Sequence, residues 1–434
     1  MTSSQASALL AGLAVVIVAA ALFGTLARRL GQPPVVGEIL AGILLGPTLF
    51  DGAVSRALLP TDIRPFLTAL ADVGVAVFMF LVGLEFDRGM VRGTGRIAAS
   101  VSLASLLLPC GLGMALGTCL LRDHPSPNHL GFVLFMGAAM SITAFPVLAR
   151  ILTDRNLDHT PLGALALCCA ALADVLAWSL LAVVVAIVAP GGNPERALLF
   201  LPYLLLMLYP VRWLLGRLLK RPGVTGQPTA VLLATAFAGL LVSGAATEWM
   251  GLHFIFGAFL FGAVVPRSGS ERLRADLHER VGLVNNVLLL PVFFLVAGLQ
   301  VDLSRLGWSD LGELALILLV AVGGKLAGAY AGAYANGLDR RISSALAVLM
   351  NTRGLTELVI LSIGRQLGIL DERLYSLMVV MAVLTTAMTG PLLQAVYPRA
   401  LALRATPQDM TRRHREPVTV GDARAGAPRP HDPS

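Results

Sequence analysis

The feature that most limits what this chain can fold into is a succession of long apolar runs, from residue 7 almost to residue 398. About 20 apolar residues cross the hydrocarbon core of a bilayer as a helix, and shorter runs suffice where neighbours bury them. On that measure the chain holds about thirteen spans. They lie near 7–28, 35–50, 65–86, 97–121, 131–153, 161–189, 197–218, 227–247, 252–266, 281–300, 311–335, 342–364 and 374–398. Composition agrees, with 56% of residues hydrophobic, 14% charged and a mean hydropathy of +0.77. A soluble domain carries about 25% charged residues, so water cannot be the solvent for this surface. The expected fold is therefore an all-α polytopic membrane protein, with residues 1–398 as one transmembrane domain and the bilayer as its first partner.

The net charge of +7 does not point to nucleic acid, because the Lys and Arg residues sit in short gaps between apolar runs. One set of loops, with Arg28, Arg29, Arg150, Arg155, Arg340 and Arg341 among its members, holds sixteen of them; the alternate set holds seven. The positive-inside bias then places the N-terminus outside and the C-terminus in the cytoplasm, as an odd number of spans requires. A bacterial plasma (inner) membrane is the expected location. Residues 399–434 are rich in Arg, Pro and Asp without apolar periodicity, and read as a disordered cytoplasmic tail. No GxGxxG follows a strand there, so no attached nucleotide-binding domain is expected, and no cofactor either. The first apolar run lacks a basic leader and is too long for a signal peptide. Cys110, Cys119, Cys168 and Cys169 lie within apolar runs without CxxC spacing and read as small core residues.

The chain repeats itself with reversed direction. FMFLVGLEFD at 78–87 matches FFLVAGLQVD at 293–302, pairing Gly83 with Gly298 and Asp87 with Asp302. GILLG at 42–46 matches AFLFG at 258–262 at nearly the same offset. Seven spans separate equivalent helices, and an odd number inverts them. Inverted repeats are the common plan of secondary transporters, with the site near mid-membrane.

Ionisable groups inside spans are expensive and mark function. Glu38, Asp72, Glu85, Asp174, Arg212, Lys325, Arg353 and Glu357 are the ones present. Glu85 and Arg212 lie near span ends, within snorkelling reach of the interface. Asp174 lies near the middle of ALALCCAALADVLAWSLLAVVVAIV, and Lys325 is as central in LVAVGGKLAGAYAGAY. A packing hydrogen bond would be met more cheaply by Asn or Ser, so Asp174 is the leading functional candidate. Two spans carry irregular polar centres: MSITAFPVLAR, with Ser141, Thr143 and Pro146, and MNTRGLTELV, with Asn351, Arg353, Gly354 and Glu357. Both read as helices that break mid-membrane and expose carbonyls to cations. Arg353 and Glu357, four apart, share a helix face and can pair. No HExxH, GxSxG or paired catalytic aspartates are present, which points away from an enzyme. Isolated mid-span charges also argue against a continuous channel.

Taken together, PPVVGEILAGILLGP (33–47), FMFLVGLEFD (78–87), SITAFPVLARIL (141–152), ALADVLAW (171–178), GAFLFGAVVP (257–266), FFLVAGLQVDL (293–303), GGKLAGAY (323–330) and MNTRGLTELVILSIG (350–364) resemble the membrane domain of the monovalent cation:proton antiporter-2 family. That family includes Kef-type and plant cation/proton exchangers. The resemblance implies a core domain with two crossed broken helices, a dimerisation domain, a homodimer, and a core that moves to alternate access. It makes Asp174 the ion-carrying aspartate, Thr143 the polar residue of the first broken helix and Lys325 the basic residue of span 11. Arg353 and Glu357 become the charged pair of the second broken helix, and Asp72 an acidic position lining the ion path.

One departure stands out. Relatives place a polar or acidic residue before the aspartate, whereas this chain has Ala173. Lys325 then lacks its usual partner, and electroneutral exchange of one potassium or sodium ion per proton is expected. Asp174 would bind a proton or a monovalent cation in turn, with Thr143, Ser141 and freed carbonyls completing an oxygen cage. The competing reading keeps the fold but exports a small organic solute in exchange for protons.

Overall fold

The computed structural model describes residues 3–48, 52–85, 95–157, 160–188, 199–219, 229–250, 252–266, 271–304 and 307–398. The expected tail, 399–434, and Asp87 lie outside them. In chain order the first helices are α1 (Ser3–Arg29), α2 (Pro34–Leu45), the short α3 (Ala53–Leu58), α4 (Arg64–Glu85), α5 (Gly95–Leu120), α6 (His129–Ser141), α7 (Phe145–Asp154) and α8 (Pro161–Val188). After them come α9 (Phe200–Leu206), α10 (Arg212–Leu219), α11 (Thr229–Trp249), α12 (Phe254–Val264), α13 (Glu271–Asp276), α14 (Gly282–Val284) and α15 (Leu290–Leu299). The last are α16 (Trp308–Ala335), α17 (Arg340–Met350), α18 (Leu355–Gln366) and α19 (Glu372–Val396).

Among the described residues, eight helices are long and apolar enough to cross a membrane alone. The short α2 and α12 and three composite segments (α6 with α7, α9 with α10, α17 with α18) bring the crossings to the expected thirteen. α9 runs into α10 through a π-turn at Met207–Val211, where Pro210 denies the helix a donor. α13 to α15 form one bent helix through π-turns at Leu277–Val281 and Asn285–Leu289. The second span is shorter than expected, because Gly46 and Pro47 end α2 at Leu45. α3 follows it and was not foreseen.

Small residues decide how closely the helices approach, as they do where lipid supplies no hydrophobic drive between them. A Cβ on Gly83 of α4 would lie 2.2 Å from the Phe259 carbonyl oxygen of α12, and one on Gly262 2.2 Å from that of Phe80. Likewise a Cβ on Gly42 of α2 would lie 2.3 Å from the Leu295 oxygen, and one on Gly298 of α15 2.5 Å from that of Ile39. Gly83 and Gly298, which the repeat matches, thus sit at two crossings that the repeat interchanges. The helices sort into two bundles. A scaffold holds α1, α2, α4, α11, α12 and the bent helix, and a core holds α5 to α8 and α16 to α19. Leu10, Val18 and Leu22 of α1 and Val242 of α11 are exposed, as a lipid-facing or partner-facing scaffold requires.

Candidate functional site

Two broken helices meet at their breaks in the centre of the core. α6 stops at Ser141 and α7 resumes at Phe145; α17 stops at Met350 and α18 resumes at Leu355. Gly354 permits the second break: its φ is +154°, and a Cβ there would lie 2.7 Å from Val147. The breaks are stitched together by the Ala144 amide donating to the Thr352 carbonyl (2.9 Å) and by the Thr143 hydroxyl donating to the Met350 carbonyl (3.2 Å). The Thr386 hydroxyl of α19 holds the Arg353 carbonyl at 2.8 Å.

The basic residues serve the C-terminal end of α6. Arg353 donates to the carbonyls of Ala139 (3.0 Å) and Met140 (2.7 Å), and Lys325 donates to the Ser141 carbonyl and to Thr143 Oγ1 (2.7 Å). Three orphan carbonyls at the negative end of a half-helix are so capped by two cations. Arg353 also pairs with Glu357 at 2.7 Å, with both side chains fully buried. Glu357 lies in the first turn of α18, where the helix dipole favours a negative charge.

This geometry alters the expected ligand set. The α6 carbonyls, expected to face a cation, face Lys325 and Arg353 instead, and Lys325 has partners without a second aspartate. The Ser141 hydroxyl bonds back to Gly137 (3.0 Å) and Ala138 (2.8 Å) of its own helix. Thr143 gives its proton to Met350 and one lone pair to Lys325, which leaves one lone pair.

Asp174 differs from all of these. It is 3% exposed, and neither carboxylate oxygen has a hydrogen-bond partner among the described residues. The Phe145 amide at the start of α7 faces it without closing a hydrogen bond, and Lys325 is its nearby cation. Asn351 is fully buried with both amide atoms unpartnered, and Glu357 Oε1 and Arg353 Nε are unpartnered as well. Buried polar groups are normally satisfied, so this concentration at one crossing is unusual. Sequence reading gave Asn351 no role in the ion site; its signal was a carboxamide in a helix break.

Phe145 also lines a cavity of about 300 Å³ between the bundles. Glu38 of α2, Phe78 of α4, and His278 and Asn286 of the bent helix share that wall. The two π-turns carry His278 and Asn286, and such turns are frequent at functional sites. The cavity lies toward the ends of the helices next to the arginine-rich loops. Asp72 stands apart: it lies on α4 in the scaffold, facing Glu248 of α11 rather than the crossing. The structure therefore brings together Asp174, Ser141, Thr143, Lys325, Arg353 and Glu357, and leaves Asp72 outside.

Residues 17–397 match the family model described as sodium/hydrogen exchanger, transmembrane. The chain is 39% identical to the Na(+)/H(+) antiporter NhaS4 of Synechocystis, over 90% of this chain and 97% of that protein. It is 35% identical to Cation/H(+) antiporter 20 of Arabidopsis thaliana and 32% identical to K(+)/H(+) antiporter 1 of Saccharomyces cerevisiae, covering 92% and 85% of this chain. It spans only 49% and 44% of those two longer proteins. Among solved structures, the sodium proton antiporter MjNhaP1 of Methanocaldococcus jannaschii superposes with a TM-score of 0.66 over 92% of this chain and 99% of that one, at 15% identity. By sequence over most of its length and by fold, the chain belongs to the sodium/hydrogen exchanger transmembrane family.

Proposed function

We propose that this protein is a secondary-active antiporter that exchanges a monovalent cation, sodium or potassium, for protons one for one through Asp174. The observation that carries the reading is the Asp174 carboxylate, buried at the crossing with no hydrogen-bond partner among the described residues. A bound proton and a bound monovalent cation give the core the same charge. Each leg of the cycle moves that same charge, so exchange is electroneutral. The bare carboxylate, carried through a dry barrier without a ligand, is disfavoured by desolvation, and that condition enforces exchange.

Asn351 and the spare lone pair of Thr143 complement Asp174 as oxygen ligands. The cavity at Phe145 is the approach from the cytoplasm, with the N-terminus outside. Core movement against the scaffold alternates access, and the exposed scaffold faces support a homodimer. The named relatives are all cation–proton antiporters, which weighs against the organic-solute reading.

The test is reconstitution in vesicles with an internal pH dye, adding sodium, potassium, lithium and choline in turn, with and without a potential clamp. Sodium or potassium should move protons equally under both conditions, and choline should not. Asp174→Asn should abolish the signal while the protein elutes as folded. Undiminished exchange by that variant would end the proposal.

A further inference from the structure

A second cavity, of about 500 Å³, lies apart from the ion site at the arginine-rich end of the molecule. Its wall comes from both bundles. The scaffold contributes Arg28 at the end of α1 and Gln32 in the α1–α2 turn; the core contributes Arg155 just after α7 and Gln394 and Tyr397 at the end of α19. Among the described residues, no carboxylate lines it. The polar wall is two guanidinium groups, two carboxamides and a phenol, and such a set of donors selects an anion. Guanidinium forks match phosphate oxygens two at a time.

The arginines are placed by the packing. The guanidinium of Arg155 lies over α19 at Gly390, where a Cβ would come within 2.9 Å of it. The same Cβ would lie 3.8 Å from the Gly31 carbonyl, so scaffold and core touch at the cavity edge. Gln32 Oε1 is buried there without a partner, and turning the carboxamide over presents its NH₂ to the cavity instead. The volume falls in the range of small-ligand sites, which run from about 300 to 1,000 Å³, and so exceeds what a bare phosphate needs.

We propose that this cavity binds a phosphate group, carried by a phospholipid head or by a soluble phosphate compound, and that the bound anion bridges Arg28 of the scaffold to Arg155 of the core. Basic pockets between helices on the cytoplasmic side are suited to such head groups. A ligand held by both bundles favours the arrangement in which the arginines converge, and so slows any cycle that separates them. That second consequence rests on the proposed moving core; the binding does not. The competing role for both arginines is to offset the negative ends of α1, α7 and α19, which also finish here.

The experiment uses the purified full chain. Its thermal midpoint is followed in detergent with inorganic pyrophosphate, with short-chain phosphatidic acid, with phosphatidylcholine, and with sodium chloride at matched ionic strength. The proposal expects a rise of several degrees with pyrophosphate, phosphatidic acid or both, and none with phosphatidylcholine or chloride. A response to phosphatidic acid alone assigns a lipid head, and a response to pyrophosphate as well assigns soluble phosphates. Arg28→Gln and Arg155→Gln should each weaken the midpoint concentration at least tenfold, with Arg28→Lys and Arg155→Lys recovering part of it. Variants that lower the thermal midpoint yet respond to the anions like the wild type would show helix capping alone and overturn the proposal, as would a wild type that responds to neither anion. In vesicles the same anion should reduce exchange severalfold in the wild type and not in the double Gln variant. A wild type that binds the anion but exchanges nothing would instead count against the antiport reading.

Discussion

At the residue scale, the crossing contains two kinds of polar side chain. Lys325, Arg353, Ser141 and Thr143 are occupied with carbonyls and with each other. Asp174 and Asn351 are buried and unoccupied by protein partners. An unsatisfied buried group costs about 1–3 kcal/mol, so groups of the second kind are retained for what they bind. Asn351→Ala should therefore raise the half-saturating cation concentration about tenfold, in line with losing roughly 1.4 kcal/mol, while leaving the fold intact. Ser141→Ala, whose hydroxyl is turned to its own helix, should leave that concentration unchanged. Vesicle titrations with sodium and potassium compare the two variants directly; a weakening by Ser141→Ala and not by Asn351→Ala would mean that Ser141, not Asn351, reaches the cation.

At the element scale, the second break depends on Gly354 and on the buried pair behind it. Gly354→Ala forces a β-carbon into a left-handed backbone and against Val147, which costs about 1–3 kcal/mol and should show as a lowered thermal midpoint with reduced exchange. Glu357→Gln leaves the fully buried Arg353 without its carboxylate, and breaking such a pair costs about 3–5 kcal/mol. Loss of folded yield on size exclusion would show it.

A further tie sits at the opposite end of the core from the arginine-rich loops, where the buried His124 lies in the α5–α6 loop. Its Nδ1 lies 2.5 Å from Asp371 and its Nε2 2.7 Å from Glu313, joining that loop to the starts of α19 and α16. Arg373 lies between Asp310 and Glu313, and Arg365 meets Glu372 at 3.2 Å. Burial pulls the imidazole down, but the hydrogen bonds and charges of Asp371 and Glu313 outweigh it and hold it at about 9 against an ordinary 6.5. A group raised on folding stabilises fully below its unfolded value and loses that stability as pH climbs through the folded one. The thermal midpoint of the wild type should thus fall between pH 7 and 10, and His124→Gln should flatten that fall. A wild-type midpoint constant over this range would refute the tie.

At the scale of the whole molecule, the two cavities are lined from both bundles, while each bundle is internally close-packed at its glycines. The proposed alternation of access then calls for each bundle to move as a body, since close-packed interiors do not deform continuously. Cysteines placed at Gln32 and Gln394 line one cavity from opposite bundles. In a background with the four natural cysteines replaced, joining them with a short bismaleimide should stop exchange, and either single cysteine treated alike should not. Full exchange after complete cross-linking would rule out a core that moves against the scaffold at this end.

The sequence alone determined the environment, the thirteen crossings, the inverted repeat, the two breaks and Asp174 as the leading candidate. Each of these follows from local rules: an apolar run of given length must span, an odd offset must invert, Pro or Gly with polar flanks must interrupt a helix, and a mid-span charge must have a use. The pairing of Arg353 with Glu357 was legible for the same reason, because four residues on a helix fix a shared face. What only the tertiary structure decided is who satisfies whom. Lys325 caps α6 instead of waiting for a second aspartate, Ser141 turns away, Asn351 is left open and Asp72 falls in the other bundle. Those outcomes depend on which half-helix end faces which side chain across more than 180 residues of chain, and no spacing along the sequence encodes that.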